Sequence, residues 1–418
     1  MSAIHLIPVA RLLVKEVVLV DQYCTGHHLS YLRIYASIMI ELGYDVVVLC
    51  SDTDLVSRYL FDLISDKKNK IRVLKILDIK KQNVKVNKIK NGLIRDVMES
   101  RQAYLRFLLI EKTLQVHKIS RASLVVFMWL DDYISKLFPG FALDRFFLNK
   151  WGGIYFHPSR IKYDETSSRC FRDVLHRVPV FGSSRLMFVG LFDASMIGRL
   201  QQKNSRCNFQ WLPDVAEKYP PDLASATIRK VLDLARGRKI VALLGSLGKR
   251  KNVISFFEAV ERCTNENVFF LCSGQLQKGD YSKDELEFIS QIAVRFRDKL
   301  YYDEEYIGSD VVFDTLFHIS DILVAVYDRF PSSSNLITKA ALHKKNIIVS
   351  NEYLMGEVVA EYGLGLLVNS GSAEDLLCAI NNILCKSEDV QGRFSDYLDK
   401  YSLDNLKGRL KDILLNKA

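Results

Sequence analysis

The eight cysteines, at 24, 50, 170, 207, 263, 272, 378 and 385, are scattered and show no C-x-x-C spacing. They read as free thiols in a reduced, cytoplasmic setting, with Cys50 and Cys272, in or beside apolar strands, acting as small apolar residues. No apolar run approaches the ~18–20 residues that span a membrane. The apolar opening AIHLIPVARLLVKEVVLV is interrupted by His5, Arg11, Lys15 and Glu16 and has no small-residue cleavage site, so it does not read as a signal peptide. No G-x-G-x-x-G follows any predicted strand, which disfavours a nicotinamide-dependent role, and no Ser or Thr follows Gly248-Lys249, which excludes a Walker A loop. Proline is sparse, and three of the eight fall within 210–222, the expected junction between domains.

What remains is a folded chain of 418 residues, 49% hydrophobic and 26% charged, long enough for two domains. Lys plus Arg exceeds Asp plus Glu by 58 − 49 = 9, which favours anionic partners. KEVVLVD (15–21), a GHH loop, a helical stretch closed by Gly43, and YDVVVLC (44–50) make a βαβ unit. The same grammar restarts with RKIVALLG (238–245), GSLGKRKN (245–252), VISFFEAVERC (253–263) and NVFFLCSG (267–274). It recurs once more with DILVAVY (321–327), DRFPSSSN (328–335), a helix through Leu342, and NIIVS (346–350). SLVVFMWL (123–130), GGIYF (152–156) and RLMFVG (185–190) supply further strands to the first half. The pattern predicts an α/β chain of two Rossmann-like domains facing across a cleft. The expected boundaries are 1–214, a linker at 215–237, a second domain at 238–390, and a helical segment at 391–418 that crosses back.

Ligands of open parallel sheets bind beyond the carboxyl ends of the strands, so the loops there carry the candidate chemistry. GSLGKRKN offers Gly245 and Ser246, then the cations Lys249, Arg250 and Lys251 directly before a helix, a pattern that suits a diphosphate or a solvated basic turn. Ser332, Ser333, Ser334 and Asn335 either cap the next helix or hold a second edge of the same diphosphate.

LLGSLGKRKNVISFFEAV and SDILVAVYDRFPSSSNLITKAALHKKNIIVSNEYLMGEVVAEYGLGLLV resemble the donor-binding segments of GT-B glycosyltransferases. The likeness is to family 4 and its relatives in bacterial polysaccharide assembly. It places Lys251 at the lysine position, Asn252 where glycine is usual, and Gly274 among the donor contacts. Two glutamates separated by seven residues are usual in that family, and here the positions read Pro331 and Lys339. The resemblance implies a nucleotide diphosphate sugar held by the C-terminal domain and a saccharide or lipid-linked acceptor held by the N-terminal one.

It also implies that the glycine loop after the first strand faces the donor phosphates. Gly26 would admit the backbone, and His27 or His28 would donate to phosphate or act as acid or base; a helix cap plus a packed histidine is the alternative. Asp131 and Asp132 follow the strand SLVVFMWL, where Asp131 would orient or deprotonate an acceptor hydroxyl; Arg160, in HPSR (157–160), would meet an anionic acceptor. Asp52-Thr53-Asp54 matches the D-x-D pattern of metal-dependent transferases, yet it reads as structural, with Asp54 or Ser51 capping a helix. No metal and no cofactor are expected. Residues 67–90 hold ten basic residues and one acid, either a solvated face or a peripheral contact with an anionic membrane on its cytoplasmic side. That run lacks the interleaved aromatics of a nucleic-acid-binding surface. The expected activity is sugar transfer in surface polysaccharide assembly; the rivals are a nucleotide-sugar 2-epimerase and a non-catalytic nucleotide or glycan sensor.

Overall fold

The computed structural model describes residues 16–24, 26–63, 70–77, 92–134, 137–158, 178–385 and 392–415. Two compact units result: the residues up to Leu212 together with those from Leu410, and Pro213–Arg409. The segment 215–237, expected as a linker, groups with the second unit and contains the helix Ala226–Ala235. The last helix runs Leu403–Leu415, and only its residues from Leu410 group with the first unit.

The first unit holds β1 (Glu16–Val20), β2 (Asp45–Cys50), β3 (Ile71–Lys75), β4 (Leu124–Phe127), β5 (Trp151–Tyr155), β6 (Leu186–Leu191) and β7 (Phe209–Trp211). They form one sheet in the order β3-β2-β1-β4-β5-β6-β7, and every pairing is parallel. The second unit repeats the plan with β8 (Lys239–Leu244), β9 (Val268–Ser273), β10 (Leu300–Asp303), β11 (Ile322–Ala325), β12 (Asn346–Ser350) and β13 (Gly365–Val368). Its order is β10-β9-β8-β11-β12-β13, again all parallel. Continuous apolar runs such as DVVVLC and VFFLCS are buried along nearly their whole length, as a sheet covered on both faces requires.

Both cores are rich in aromatics. Phe107 lies 5.1–5.5 Å, centroid to centroid, from Phe127, Tyr133, Phe147 and Trp151, each at an edge-to-face angle. Phe256, Phe257 and Phe270 anchor the second core under the helix Val253–Arg262. In each sheet the strand order reverses once, between β1 and β4 and between β8 and β11. At such a switch point neighbouring loops leave in opposite directions and open a crevice at the carboxyl edge.

Four strands, β3, β7, β10 and β13, lie where no strand was expected. β3 falls inside the basic run: Ile71 is buried against the sheet while Arg72 and Lys75 point outward, as an edge strand allows. Two cations of the run are locally paired, Lys70 with Asp45 at 2.8 Å and Arg72 with Glu16. Residues 67–69 and 78–90 of that run lie outside the described residues, as does Arg160. β7 and β10 are three and four residues long, too short to register as periodicity. Among the described residues no helix is long and apolar enough to cross a membrane.

Candidate active site

In the second unit the loops after β8 and β11 meet at the switch point. Gly245 leaves β8 at φ +93°, and a Cβ there would lie 3.1 Å from Lys251 Nζ, so the glycine keeps the approach to that ammonium open. Lys249–Lys251 form one 3-10 turn, closed by Asn252 in the left-handed region at φ 51°, and the helix Val253–Arg262 follows. Asparagine tolerates that conformation better than most residues, which explains how it stands where glycine is usual. Its Nδ2 donates to Val326 O (3.2 Å) and Ser370 Oγ (2.9 Å), fixing the turn to the end of β11.

The three cations diverge. Lys249 is spent on Glu285 at 2.6 Å on the surface. Arg250 lies over the rings of Tyr327 (5.0 Å) and Phe330 (4.5 Å), and its carbonyl accepts from Asp328 N at 2.7 Å, so it clamps the two loops together. Lys251 is 5% exposed; its Nζ donates to Leu244 O at 2.6 Å and sits 5.5 Å from the Tyr327 ring centroid. It has no carboxylate partner among the described residues, and burial pushes its pKa down. Ser246 accepts from Gln277 Nε2 at 3.2 Å.

Gly274 contacts the protein's own backbone: at φ +141° a Cβ would fall 2.0 Å from Gly245 O. The serine loop does not cap its helix as one of the two readings expected. Asn335 holds the N-cap position of Leu336–Leu342 with no side-chain capping bond, and Ser332 Oγ is buried without a partner among the described residues. Ser333, Ser334 and Asn335 are half-buried beside it. Lys339, at the position of the second family glutamate, turns inward to Asp314 Oδ1 and Glu217 O at 2.5 Å each; His343 Nε2 meets the other Asp314 oxygen at 3.0 Å. It is part of the packing that holds the 214–222 stretch, along with Tyr219 N donating to Asp314 (2.9 Å) and Asp222 N to Thr315 Oγ1 (2.9 Å).

In the first unit the loop after β1 leads into the helix His27–Glu41. Gly26 (φ 59°) is its N-cap, with no side-chain capping bond and no acid in the first turn. His28 Nδ1 lies 3.0 Å from Asp21 Oδ2, and the carboxylate is buried at the end of β1. The His28 ring is packed by Tyr23 (4.8 Å), His27 (4.7 Å, stacked) and Trp129 (4.8 Å).

Asp131 is not an open base. Its oxygens accept from Phe156 N (2.9 Å), His157 N (2.9 Å) and His157 Nδ1 (3.0 Å), so it shapes the end of β5 and aims His157. Asp132 accepts from Tyr23 OH (2.6 Å) and Gln22 Nε2 (2.5 Å), with Arg106 at 3.6 Å. Burial and the Asp132 hydrogen bond push the Tyr23 phenol up to about 12. Helix capping in the D-x-D stretch falls to Asp52, whose Oδ1 accepts from Leu55 N at 3.0 Å, rather than to Ser51 or Asp54. Cys24 stands 3.3 Å from Ser51 Oγ, and a hydrogen bond from Cys50 holds its thiol down at about 6.

The result is two imidazoles, each anchored through Nδ1 by an aspartate, both beside Trp129, which lies 4.8 Å from His28 and 5.4 Å from His157. Asp21, Trp129 and His157 were not among the sequence candidates. The available signals were an acid closing β1 seven residues before His28, and a histidine two residues past β5.

Two parallel-sheet units with this strand order define the fold of the GT-B glycosyltransferases. No protein-family model matches the sequence, and no curated protein sequence matches it. Among solved structures the chain is similar to Anabaena HepE in complex with UDP and glucose, with a TM-score of 0.66 and 14% identity over 96% of this chain and 100% of that one. It is also similar to the E. coli trehalose-6-phosphate protein bound with UDP-2-fluoro glucose (0.67, 12%, 96% and 99%). A third is sucrose-phosphate synthase from Thermosynechococcus elongatus (0.66, 14%, 97% and 100%). At these identities the likeness is one of fold.

Proposed function

We propose that the protein is a glycosyltransferase that takes its sugar from a nucleotide diphosphate donor. The observation that carries this reading is Lys251: a buried ammonium with no carboxylate partner among the described residues, at the switch point of the second sheet, behind a glycine that keeps the way to it open. An unpaired buried charge is costly, and an anion arriving there repays that cost. Ser332 Oγ, buried and unpartnered, adds a donor on the facing loop. The structures similar in fold that hold UDP or a UDP sugar support uridine diphosphate as the first nucleotide to test.

In the reaction an acceptor oxygen bonds to the anomeric carbon while the bond from that carbon to the terminal phosphate oxygen breaks. The diphosphate leaves with the electron pair. Lys251 and Arg250 stabilise it electrostatically, with Ser332, Ser333, Ser334 and Asn335 along its other edge. The acceptor proton passes to an imidazole, His28 or His157, whose aspartate on Nδ1 sets the tautomer and stabilises the cation formed. Asp131 then acts as a positioning residue for His157. A role in surface polysaccharide assembly, and contact of residues 67–90 with an anionic membrane, belong to this proposal; salt-insensitive vesicle binding would count against the membrane contact.

Calorimetric titration with UDP, GDP and CMP tests the donor site. Binding of one nucleotide, weakened at least tenfold in Lys251→Ala, is expected; no binding at millimolar concentration removes the reading.

A further inference from the structure

The first unit's switch point carries two chemistries together: aromatic faces and carboxylates. Tyr23 is 37% exposed and His27 is exposed, with Trp129 half-buried beside them. Among the described residues, Asp21, Asp131 and Asp132 stand around them, and the cation in contact with this cluster is Arg106, which donates to Asp132 O at 2.7 Å. Leaving the imidazoles aside, these four described groups sum to −3 + 1 = −2, and Asp193 just past the end of β6 adds a further acid to the same edge.

Aromatic faces receive the apolar C–H face of a sugar ring, and aspartate-anchored imidazoles present Nε2 to its hydroxyls. A phosphate group meets like charge there. We propose that this cluster binds an uncharged sugar ring, so that the acceptor is a neutral saccharide and not a sugar phosphate. The inference rests on the glycosyltransferase reading and narrows its acceptor class.

Trp151 and Trp211 are buried, which leaves Trp129 as the indole a ligand can reach, and its fluorescence reports on this cluster alone. The full-length protein is titrated with methyl glucoside, maltose, glucose 6-phosphate and glucose 1-phosphate, each with and without saturating UDP. The neutral sugars are expected to bind at least tenfold more tightly than either phosphate. Tyr23→Ala is expected to weaken neutral-sugar binding about tenfold, Tyr23→Phe to retain it, and both to leave UDP binding intact, which also reports that they are folded. Tighter binding of the phosphates, no sugar binding under either condition, or indifference to Tyr23→Ala overturns the inference. Calorimetry with UDP on the same samples reads the donor site separately: sugar binding without UDP binding counts against the transferase reading alone.

Discussion

Replacing Lys251 by methionine separates function from stability, because the structure assigns this lysine opposite effects on the two. The ammonium is 5% exposed and rests on one carbonyl, Leu244 O at 2.6 Å, and on the Tyr327 ring 5.5 Å away. Methionine gives up a charged hydrogen bond of about 1.5–3 kcal/mol and a cation–π contact of about 0.5–2 kcal/mol. It regains the several kcal/mol spent on taking an ammonium out of water. A thioether fits the same narrow volume. The sum lies close to zero or favours the variant, so its midpoint should stay within a few degrees of wild type or rise. UDP affinity should fall at least tenfold, a loss of about 1.4 kcal/mol. The pH dependence adds a sign. Since the folded pKa is depressed, the unfolded chain binds more protons between that value and about 10.4, and stability rises with pH across that window. The variant should lack this slope. Thermal melts at several pH values and calorimetry on the same samples provide both readings. A loss of about 3 kcal/mol in stability with UDP affinity unchanged would refute the reasoning and make Lys251 a structural residue.

Further consequences concern the surrounding framework. Burial raises Glu217 from 4.5 to about 7, so the folded protein holds its proton between those values and stability falls as pH rises through them. The change is at most about 3 kcal/mol; urea titrations of Glu217→Gln should show a flatter profile from pH 5 to 8, and an unchanged profile would refute it. Gly274→Ala forces a Cβ to 2.0 Å from Gly245 O at φ +141°, and should cost about 3 kcal/mol or more in denaturation midpoint. Asn252→Gly keeps the left-handed turn and gives up two side-chain bonds, about 1–2 kcal/mol, while Asn252→Ala should cost more because alanine resists φ 51°. The reverse order would contradict the assignment.

The strands were legible where they are central. β1, β2, β6, β8, β9 and β12 are buried on both faces, and their unbroken apolar runs announce them. β3 was hidden because an edge strand alternates Ile71 with Arg72 inside a run that otherwise reads as solvated charge. The loops of the site were legible for a topological reason, since strand ends at a switch point must meet. What individual side chains do there was not. The ion pair of Lys249 with Glu285 joins residues 36 apart, and Asp131 finds its partners at the end of a neighbouring parallel strand, 25 and 26 residues on. Such pairings depend on strand order and register, which no local spacing encodes. Asp21 and His28 are only seven residues apart, and that pair was within reach of the sequence.

Product analysis tests the central claim most directly. The protein is incubated with UDP-glucose carrying labelled glucose and with maltose, and the label is followed by chromatography and mass spectrometry. Label in a lengthened saccharide, with one UDP released per sugar moved and loss of both in Lys251→Ala, is the predicted result. An isomerised UDP-sugar without acceptor would make the protein an epimerase. Nucleotide binding with no turnover on any sugar nucleotide or acceptor offered would contradict the transferase account.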